Sequence, residues 1–295
     1  MIDFIHLYSK IDDHKTFLND KFLKFIEGIE YLKQRTLSYF WHKDKDSKML
    51  FKIGYNNWLD ITGSLTKYQY GENYSNLTYS DLCTAIDDLA NTVNKQPYEL
   101  NIRSFEFGLN IYMFENLKAI ELKDLAFNYK KSFFESIESN NKDPVSIGKR
   151  CRLQQYDIKI YNKSIEYDLP FDLLRIELKV KRMKWVKHLE INTLEDLRDI
   201  EKLDELKNIL IETIEKTFFY DSTIDENLLT PNQRNNCIKW QSELFRKKLI
   251  KENPKKYEYQ KKKMEIFIEK HGTLKIKENI INNINKEWNH FKINN

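Results

Sequence analysis

Apolar and polar residues alternate most strictly in two segments near the middle of the chain. Residues 156–166 read YDIKIYNKSIE and residues 173–180 read LLRIELKV, with Asp168 and Pro170 between them. Successive side chains of a strand point to opposite faces of a sheet, so this period predicts two half-buried strands. Because Asp and Pro favour a turn, we expect the two strands to be neighbours in one sheet.

These two predicted strands have one apolar face and one polar face. The apolar face carries Tyr156, Ile158, Ile160, Leu174, Ile176, Leu178 and Val180. The polar face carries Asp157, Lys159, Tyr161, Lys163, Arg175, Glu177, Lys179 and Lys181. A tyrosine, a carboxylate and several cations together suit phosphoryl transfer to a protein hydroxyl, although a solvated strand face in a Lys-rich chain has the same composition.

The rest of the first 190 residues predicts a mixed order of strands and helices. A helix begins clearly after Thr78, because Thr78 and Asp81 form an N-terminal cap and an apolar stripe follows. The other predicted elements are strands at 2–8, 37–41, 49–55, 58–68 and 98–113 and helices at 12–34 and 117–139. This order favours an α+β fold with a mainly antiparallel sheet, helices on one face and the other face open.

Helical spacing of apolar residues dominates from Thr193 to the end of the chain. The predicted helices reach Phe218 and then cover 237–249, 255–270 and 276–291, after a linker at 227–236. We therefore predict an α+β domain at 1–190 and a helical region at 191–295.

Composition narrows the class of protein. The chain has 295 residues, 41% of them hydrophobic, and a net charge of +4, which indicates a folded protein rather than a disordered one. Its cysteines, Cys83, Cys151 and Cys237, have neither disulfide-framework nor zinc-site spacing. The N-terminal segment lacks a signal-peptide pattern, and we expect a soluble cytoplasmic protein without membrane contact.

Tyr161 is the first candidate nucleophile, because Lys159 and Lys163 flank it on the polar face. A tyrosine hydroxyl has a pKa of about 10, so it needs nearby cations or a metal ion to act as a nucleophile. Glu177 and Glu106, the latter on the predicted strand at 98–113, supply the oxygen ligands that a hard cation prefers. The alternative is that Glu106 is a solvated residue on an open sheet face and binds no metal.

Four short motifs in one order resemble a known family. YxxKxYxK at 156–163 with Glu166, followed by LLRIELKV at 173–180, is similar to the YDK…E…RfE core of rolling-circle replication initiators of the filamentous-phage and plasmid type. IDFIHLY at 2–8 and SFEFGLN at 104–110 resemble that family's opening and central acidic strands.

The resemblance implies a palm-like nicking domain and a metal-dependent endonuclease. Such an enzyme nicks one strand at a phage or plasmid origin, forms a 5′-phosphotyrosyl intermediate and later religates the strand. It implies Mg²⁺ or Mn²⁺ as cofactor, origin DNA, single-stranded or supercoiled, as partner, and host helicase and polymerase in a bacterial cytoplasm.

Family motifs leave the nucleophile and the metal ligands open. Tyr156 matches the YxxK spacing of the wider superfamily, whereas Tyr161 shares the face of the lysines; we favour Tyr161, and the two could also act in turn. The six histidines include no His-hydrophobic-His pair, so carboxylates are the expected ligands. These are Glu106, Glu177 and either Glu166 or Asp3, with His6 as a further contributor.

Basic residues predict where DNA would bind. Between Arg246 and Lys263 the sequence holds nine Lys and Arg residues against two Glu, and such clusters bind phosphates by releasing counterions. The candidate DNA-binding residues are Arg150, Arg152, Lys179, Lys181, Lys247, Lys248, Lys255, Lys256, Lys261 and Lys262. A non-catalytic single-strand-binding protein and a protein-interaction module remain alternatives.

Overall fold

A ten-stranded antiparallel sheet forms the centre of the computed structural model, which describes residues 1–12, 29–32, 36–42, 48–54, 57–113, 117–139 and 144–293. The strands are β1 (Ile2–Lys10), β2 (Ile29–Leu32), β3 (Thr36–His42), β4 (Lys48–Gly54), β5 (Trp58–Ser64), β6 (Asn101–Tyr112), β7 (Ala126–Tyr129), β8 (Ser132–Phe133), β9 (Glu135–Glu138), β10 (Ser146–Arg152), β11 (Tyr156–Asn162), β12 (Leu173–Val180) and β13 (Thr217–Phe219). The large sheet has the order β2-β3-β4-β5-β1-β6-β12-β11-β10-β9, and β13-β7-β8 form a small second sheet.

Helices pack against the sheet and form the C-terminal region, which confirms the α+β fold. They are α1 (Leu65–Tyr70), α2 (Tyr79–Thr92), α3 (Ala119–Leu125), α4 (Lys163–Tyr167), α5 (Ile200–Lys216), α6 (Pro231–Gln241), α7 (Glu243–Glu252), α8 (Pro254–His271) and α9 (Ile276–Ile293). Short 3₁₀ helices lie at Pro97–Glu99, Met183–Leu189, Glu195–Arg198 and Glu226–Leu228. Within the described residues, the helices include none with the length and apolarity that a membrane crossing requires.

Strand register separates an apolar face from a polar face. Ile158 pairs with Leu178 and Ile160 with Ile176, and all four are fully buried in the main core. This apolar face packs against α3, and α9 packs on β6. On the opposite face, which we call the polar face, Lys159 lies beside Glu177. The alternation seen in the sequence is therefore confirmed as two faces of one sheet.

A bulge between β1 and β6 brings two consecutive side chains towards the polar face. Ile2 pairs with Phe107 and Ile5 with Phe105, so Asp3 and Phe4 both lie opposite Glu106. Bulges of this kind change the direction of a side chain. As a result Asp3 can contact β12, although strict alternation would put Asp3 and Phe4 on opposite faces.

The helical region contributes to two hydrophobic cores. Helices α5 and α9 supply Leu206, Leu210, Ile284 and Trp288 to the main core beneath the sheet. A second core lies among β13, α6 and α8, with Phe218, Tyr220, Cys237, Trp240, Tyr257 and Met264 as its main residues. The division of the chain at residue 190 remains a prediction.

Several predicted elements have other bounds in the structure. The helix predicted at 117–139 is wrong after Leu125, because the chain pairs as β7, β8 and β9. The strand predicted at 58–68 ends at Ser64, whose hydroxyl caps α1, and Asn162 caps α4 in the same way. Of the helix predicted at 12–34, residues 13–28 and 33–34 lie outside the described residues, and 29–32 form β2.

The predicted linker and the helices after it also differ from the structure. The linker at 227–236 contains the start of α6, which Thr230 caps, and the single helix predicted at 237–249 is divided into α6 and α7 at Ser242. Serine interrupts the helix because its side-chain hydroxyl accepts a hydrogen bond from the Phe245 backbone amide, as an N-cap does.

Candidate active site on the polar sheet face

Four of the residues predicted for catalysis or metal binding, Tyr161, Lys159, Glu106 and Glu177, meet on the polar face. Tyr161 on β11 donates a hydrogen bond from its hydroxyl to Oε2 of Glu177 at 3.3 Å. Lys159 Nζ lies 2.5 Å from Oε1 of Glu177 and 3.3 Å from Oε2 of Glu106. Lys179 Nζ lies 2.8 Å from the other oxygen of Glu106. Side chains from β6, β11 and β12 thus form one connected group.

Arg175 contacts this group through Glu177, and it was not among the predicted site residues. Its guanidinium donates to Glu177 Oε2 at 2.7 Å, Asn110 Oδ1 at 2.9 Å and Asp3 Oδ2 at 2.8 Å. The three acceptors come from β12, β6 and β1. A buried arginine with its donors distributed in this way fixes the relative positions of three strands. Its position on the polar face of β12 was the only sequence signal.

Lys163 lies beside the tyrosine even though it belongs to α4 and not to the strand. Its Nζ is 3.4 Å from the Tyr161 hydroxyl and 5.3 Å from the ring centroid, and it lies 4.7 Å from the ring of Tyr167. Glu166 Oε2 is 2.9 Å from the same amine. Tyr167 in turn packs edge-on against Tyr74, so α4 and the loop at 71–76 cover this end of the polar face.

Burial and neighbouring charges shift the pKa values of Tyr161, Glu177 and Lys163. Burial, together with the charge of Glu177, raises the pKa of Tyr161 well above its ordinary value. Burial alone would raise the pKa of Glu177, but Arg175 and Lys159 outweigh it and lower that pKa. Burial and Arg175 lower the pKa of Lys163. The resting site therefore holds a neutral tyrosine beside an ionised carboxylate.

Glu106 is the weaker acid of the two carboxylates. Burial raises its pKa, and the adjacent charge of Glu177 raises it further against the opposing effect of Lys159. Lys159 shows the converse: burial lowers its pKa, but Glu177 and Glu106 outweigh burial, so the pKa is raised and the amine stays charged. Lys159 therefore acts as a fixed positive charge between two acids.

The carboxylates as arranged do not fit a divalent ion. Both oxygens of Glu106 and both of Glu177 already lie against Lys159, Lys179 or Arg175. In the part of the chain that the structure describes, His, Cys, Asp and Glu form no group of three or more arranged to hold a metal. A metal ion at Glu106 and Glu177 would have to displace Lys159, which occupies the space between them.

A cavity of about 330 Å³ opens beside the tyrosine. Tyr161, Lys159, Arg150, Ile165 and Glu166 are among the residues that line it. Tyr161 itself is 8% exposed. The wall of the cavity holds two cations, Lys159 and Arg150, and two acids, Glu138 and Glu166.

Two glycines leave the space that the site side chains occupy. Gly148 pairs with Tyr161, and Gly108 pairs with Glu177. A Cβ added at Gly148 would overlap Tyr161, and one added at Gly108 would lie 2.6 Å from Cα of Glu177. Reading the sequence missed both residues, since their role depends on which residue the neighbouring strand places opposite.

Tyr156 lies on the opposite, apolar face of the sheet. Its ring stacks on Trp185 with centroids 3.8 Å apart, and its hydroxyl donates to the Tyr129 hydroxyl at 3.0 Å. Burial raises its pKa as well. The structure therefore brings Tyr161, and not Tyr156, to the carboxylates and lysines.

The predicted DNA-binding residues fall into two groups. Arg150 and Lys181 pair with the buried Asp157, and Arg152 pairs with Glu135 near the sheet edge. In the helical region the exposed lysines are Lys247, Lys248, Lys255, Lys256 and Lys262. Lys261 is buried, and its amine donates to the Lys216 carbonyl at 3.4 Å, so it packs inside the helical region.

Comparison with known proteins adds no relative: no protein-family model, curated protein or solved structure matches this chain. The geometry of the polar face and the resemblance of its motifs are therefore the grounds for a functional proposal.

Proposed function

We propose that this protein nicks and rejoins a single DNA strand through Tyr161, as an initiator of rolling-circle replication at a phage or plasmid origin. One observation carries the proposal: the Tyr161 hydroxyl lies between the Glu177 carboxylate and the Lys163 amine, and Tyr161 borders a cavity whose wall includes Lys159 and Arg150. Positive charge around a tyrosine hydroxyl is what attack on a phosphodiester requires.

The reaction is a transfer of a phosphoryl group to tyrosine. The Tyr161 oxygen forms a bond to phosphorus, the bond from phosphorus to the 3′ oxygen breaks, and the 5′ phosphate remains on the protein. Lys163, whose pKa burial lowers, accepts the phenol proton, and the leaving 3′ oxygen takes a proton from water. Attack by a 3′ hydroxyl on the phosphotyrosine reverses the step and closes the strand.

The neighbouring residues bind and orient. Lys159 and Arg150 line the cavity and offset the charge of the phosphate. Glu177 accepts the hydrogen bond of the tyrosine hydroxyl, and Arg175 holds Glu177 in turn. The proposed cofactor, Mg²⁺ or Mn²⁺, would require Lys159 to leave Glu106 and Glu177, so the reaction is assigned here to protein side chains.

A covalent-adduct assay tests the proposal. The protein is incubated with a 3′-labelled pool of single-stranded DNA of random sequence, in Mg²⁺, Mn²⁺ or EDTA, and adducts are separated on a denaturing gel. We expect an adduct from the wild type and from the control Tyr156→Phe, and none from Tyr161→Phe. Absence of a wild-type adduct under all three conditions, or an adduct that survives Tyr161→Phe, refutes the proposed function.

A second candidate is a single-strand DNA-binding protein that does not cut. Tyr161 is 8% exposed, and its pKa is raised, which favours a tyrosine held neutral in a structural network. A protein that binds without cutting would yield no adduct on the denaturing gel, but would bind the same labelled DNA in EDTA on a native gel.

A further inference from the structure

A cluster of aromatic rings and an arginine lies on the polar face away from Tyr161. The Tyr8 and Trp58 ring centroids are 5.9 Å apart, and the Arg103 guanidinium lies 5.0 Å from the Tyr8 ring centroid. A register shift between β1 and β6 leaves Arg103 as an extra residue and directs it to this side. We call Tyr8, Trp58 and Arg103, together with Phe4, the aromatic patch.

The aromatic patch is continuous with the candidate active site. Lys179, which pairs with Glu106 at the site, lies 5.3 Å from the Phe4 ring centroid. Phe4, His6 and Tyr8 follow each other along the same face of β1. A diagonal across the sheet therefore leads from Tyr161 past Lys179 to Phe4, where the aromatic patch begins.

Charge along this diagonal favours an anionic ligand. The Arg103 and Lys179 side chains are 54% and 34% exposed, whereas the Glu106 and Glu177 carboxylates beneath them are 10% and 2% exposed. Asp60, which lies beside the patch and is 30% exposed, is 3.2 Å from Arg103 and 3.0 Å from His6. A ligand approaching the sheet meets cations and ring faces, and each of these acids already has a basic partner.

We propose that the aromatic patch binds the bases of single-stranded DNA, stacking them on Trp58 and Tyr8 while Arg103 contacts the backbone. Aromatic side chains on a sheet, interleaved with cations, bind single strands because each unpaired base offers a ring face. Bases inside a duplex are already stacked and do not offer that face. The choice of DNA over RNA rests on the proposed function, whose substrate is a DNA strand.

Sheet geometry sets the length of the strand. Tyr8 pairs with Asn101 of β6. Tyr161 pairs with Arg175, which in turn pairs with Asn110 of β6. Measured along β6, the two tyrosines are therefore 110 − 101 = 9 residues apart. At about 3.4 Å per residue the diagonal is at least roughly 30 Å long. Stacked nucleotides advance by about 3.4 Å, so roughly nine nucleotides connect the aromatic patch to Tyr161.

Anisotropy of a fluorescein-labelled 12-nucleotide single strand, measured in EDTA on the full-length protein, tests the inference. We expect Trp58→Ala and Arg103→Ala to weaken binding about tenfold or more. Trp58→Phe retains most of the affinity, because a ring remains. The matched control is Arg234→Ala, which removes an exposed arginine on α6 that is not among the predicted DNA-binding residues; we expect less than about a twofold change.

Several results would overturn the inference. Unchanged affinity in Trp58→Ala and Arg103→Ala, both shown to be folded by circular dichroism, removes the patch as a binding site. Equal affinity for a duplex of the same sequence, or tighter binding of the matching RNA strand, removes the assignment to single-stranded DNA.

Failure of the inference is distinguishable from failure of the proposed function. Tyr161→Phe should bind the labelled strand as the wild type does, yet form no adduct. If the wild type forms no adduct but Trp58→Ala still loses affinity, nicking is wrong and the aromatic patch stands. If adducts form while the patch variants bind normally, the aromatic patch is wrong and nicking stands.

Discussion

Replacing Arg175 by methionine tests the ion network that positions Tyr161. The guanidinium makes three hydrogen bonds of 2.7 to 2.9 Å, two of them to the carboxylates of Glu177 and Asp3. The variant leaves both acids buried with part of their compensating charge removed. Breaking one partner of a buried ion pair costs about 3–5 kcal/mol, and we expect a loss of free energy of unfolding in that range at pH 7.

The loss should depend on pH in a defined direction. In the wild type the pKa of Glu177 is lowered by Arg175 and Lys159 against the effect of burial, so the stability it contributes is present above its unfolded pKa of about 4.3 and declines as pH falls below that value. Without Arg175, burial acts on Glu177 with less opposition, so its pKa rises. The difference between variant and wild type should therefore be largest near neutral pH and shrink towards pH 4.

Urea unfolding followed by tryptophan fluorescence at pH 4.5, 6 and 7.5 measures the effect. The control is Arg152→Met, because the ion pair of Arg152 with Glu135 leaves both side chains 62% exposed; its effect should stay within about 0.5 kcal/mol. A loss below about 1 kcal/mol in Arg175→Met, or one that does not change with pH, would show that the network does not hold the site together.

Three further outcomes follow from the site. Gly148→Ala should destabilise the protein by about 1–3 kcal/mol and reduce adduct formation, since the added methyl group overlaps Tyr161; an unchanged urea midpoint and adduct yield would contradict this packing. The rate of adduct formation should rise with pH, because a raised Tyr161 pKa and a protonated Lys163 both oppose attack at lower pH; a flat rate profile would exclude Lys163 as proton acceptor. Mn²⁺ should raise the melting temperature of Lys159→Ala by about 2 °C or more above its effect on the wild type, as the freed oxygens of Glu106 and Glu177 bind the ion; equal shifts would mean that Lys159 does not occupy an ion site.

Alternation in the sequence predicted which residues share a face, and it did so because the period of a strand is a local property. The pairs Lys159 with Glu177 and Ile160 with Ile176 follow once β11 and β12 are neighbours in that register. How deeply a side chain is buried does not follow from this alternation. Alternation cannot show that Arg175 is buried among Asp3, Asn110 and Glu177, so the sequence left that residue among the solvated cations.

Contacts between distant strands decided the features that the sequence did not predict. Residues 126–138 form β7 to β9 because β7 pairs with β13, which lies far along the chain, while β8 pairs with β7 and β9 with the nearby β10. The bulge that turns both Asp3 and Phe4 towards the polar face depends on the register of β6. Gly148 has its role only because Tyr161 is its partner across β10 and β11. None of these relations is visible in a local pattern.

The two ends of the polar face differ in burial, and this difference separates chemistry from binding. Around Tyr161 the charged groups are buried and paired, which holds them in fixed positions but gives a ligand little surface to contact. Around Trp58 and Arg103 the side chains are exposed, which suits contact with a flexible strand but fixes no reacting atom. A strand bound at the exposed end would deliver its phosphates to the buried end, so variants of the aromatic patch should lower affinity and leave the rate of the bound complex unchanged, while variants at Tyr161 should do the opposite.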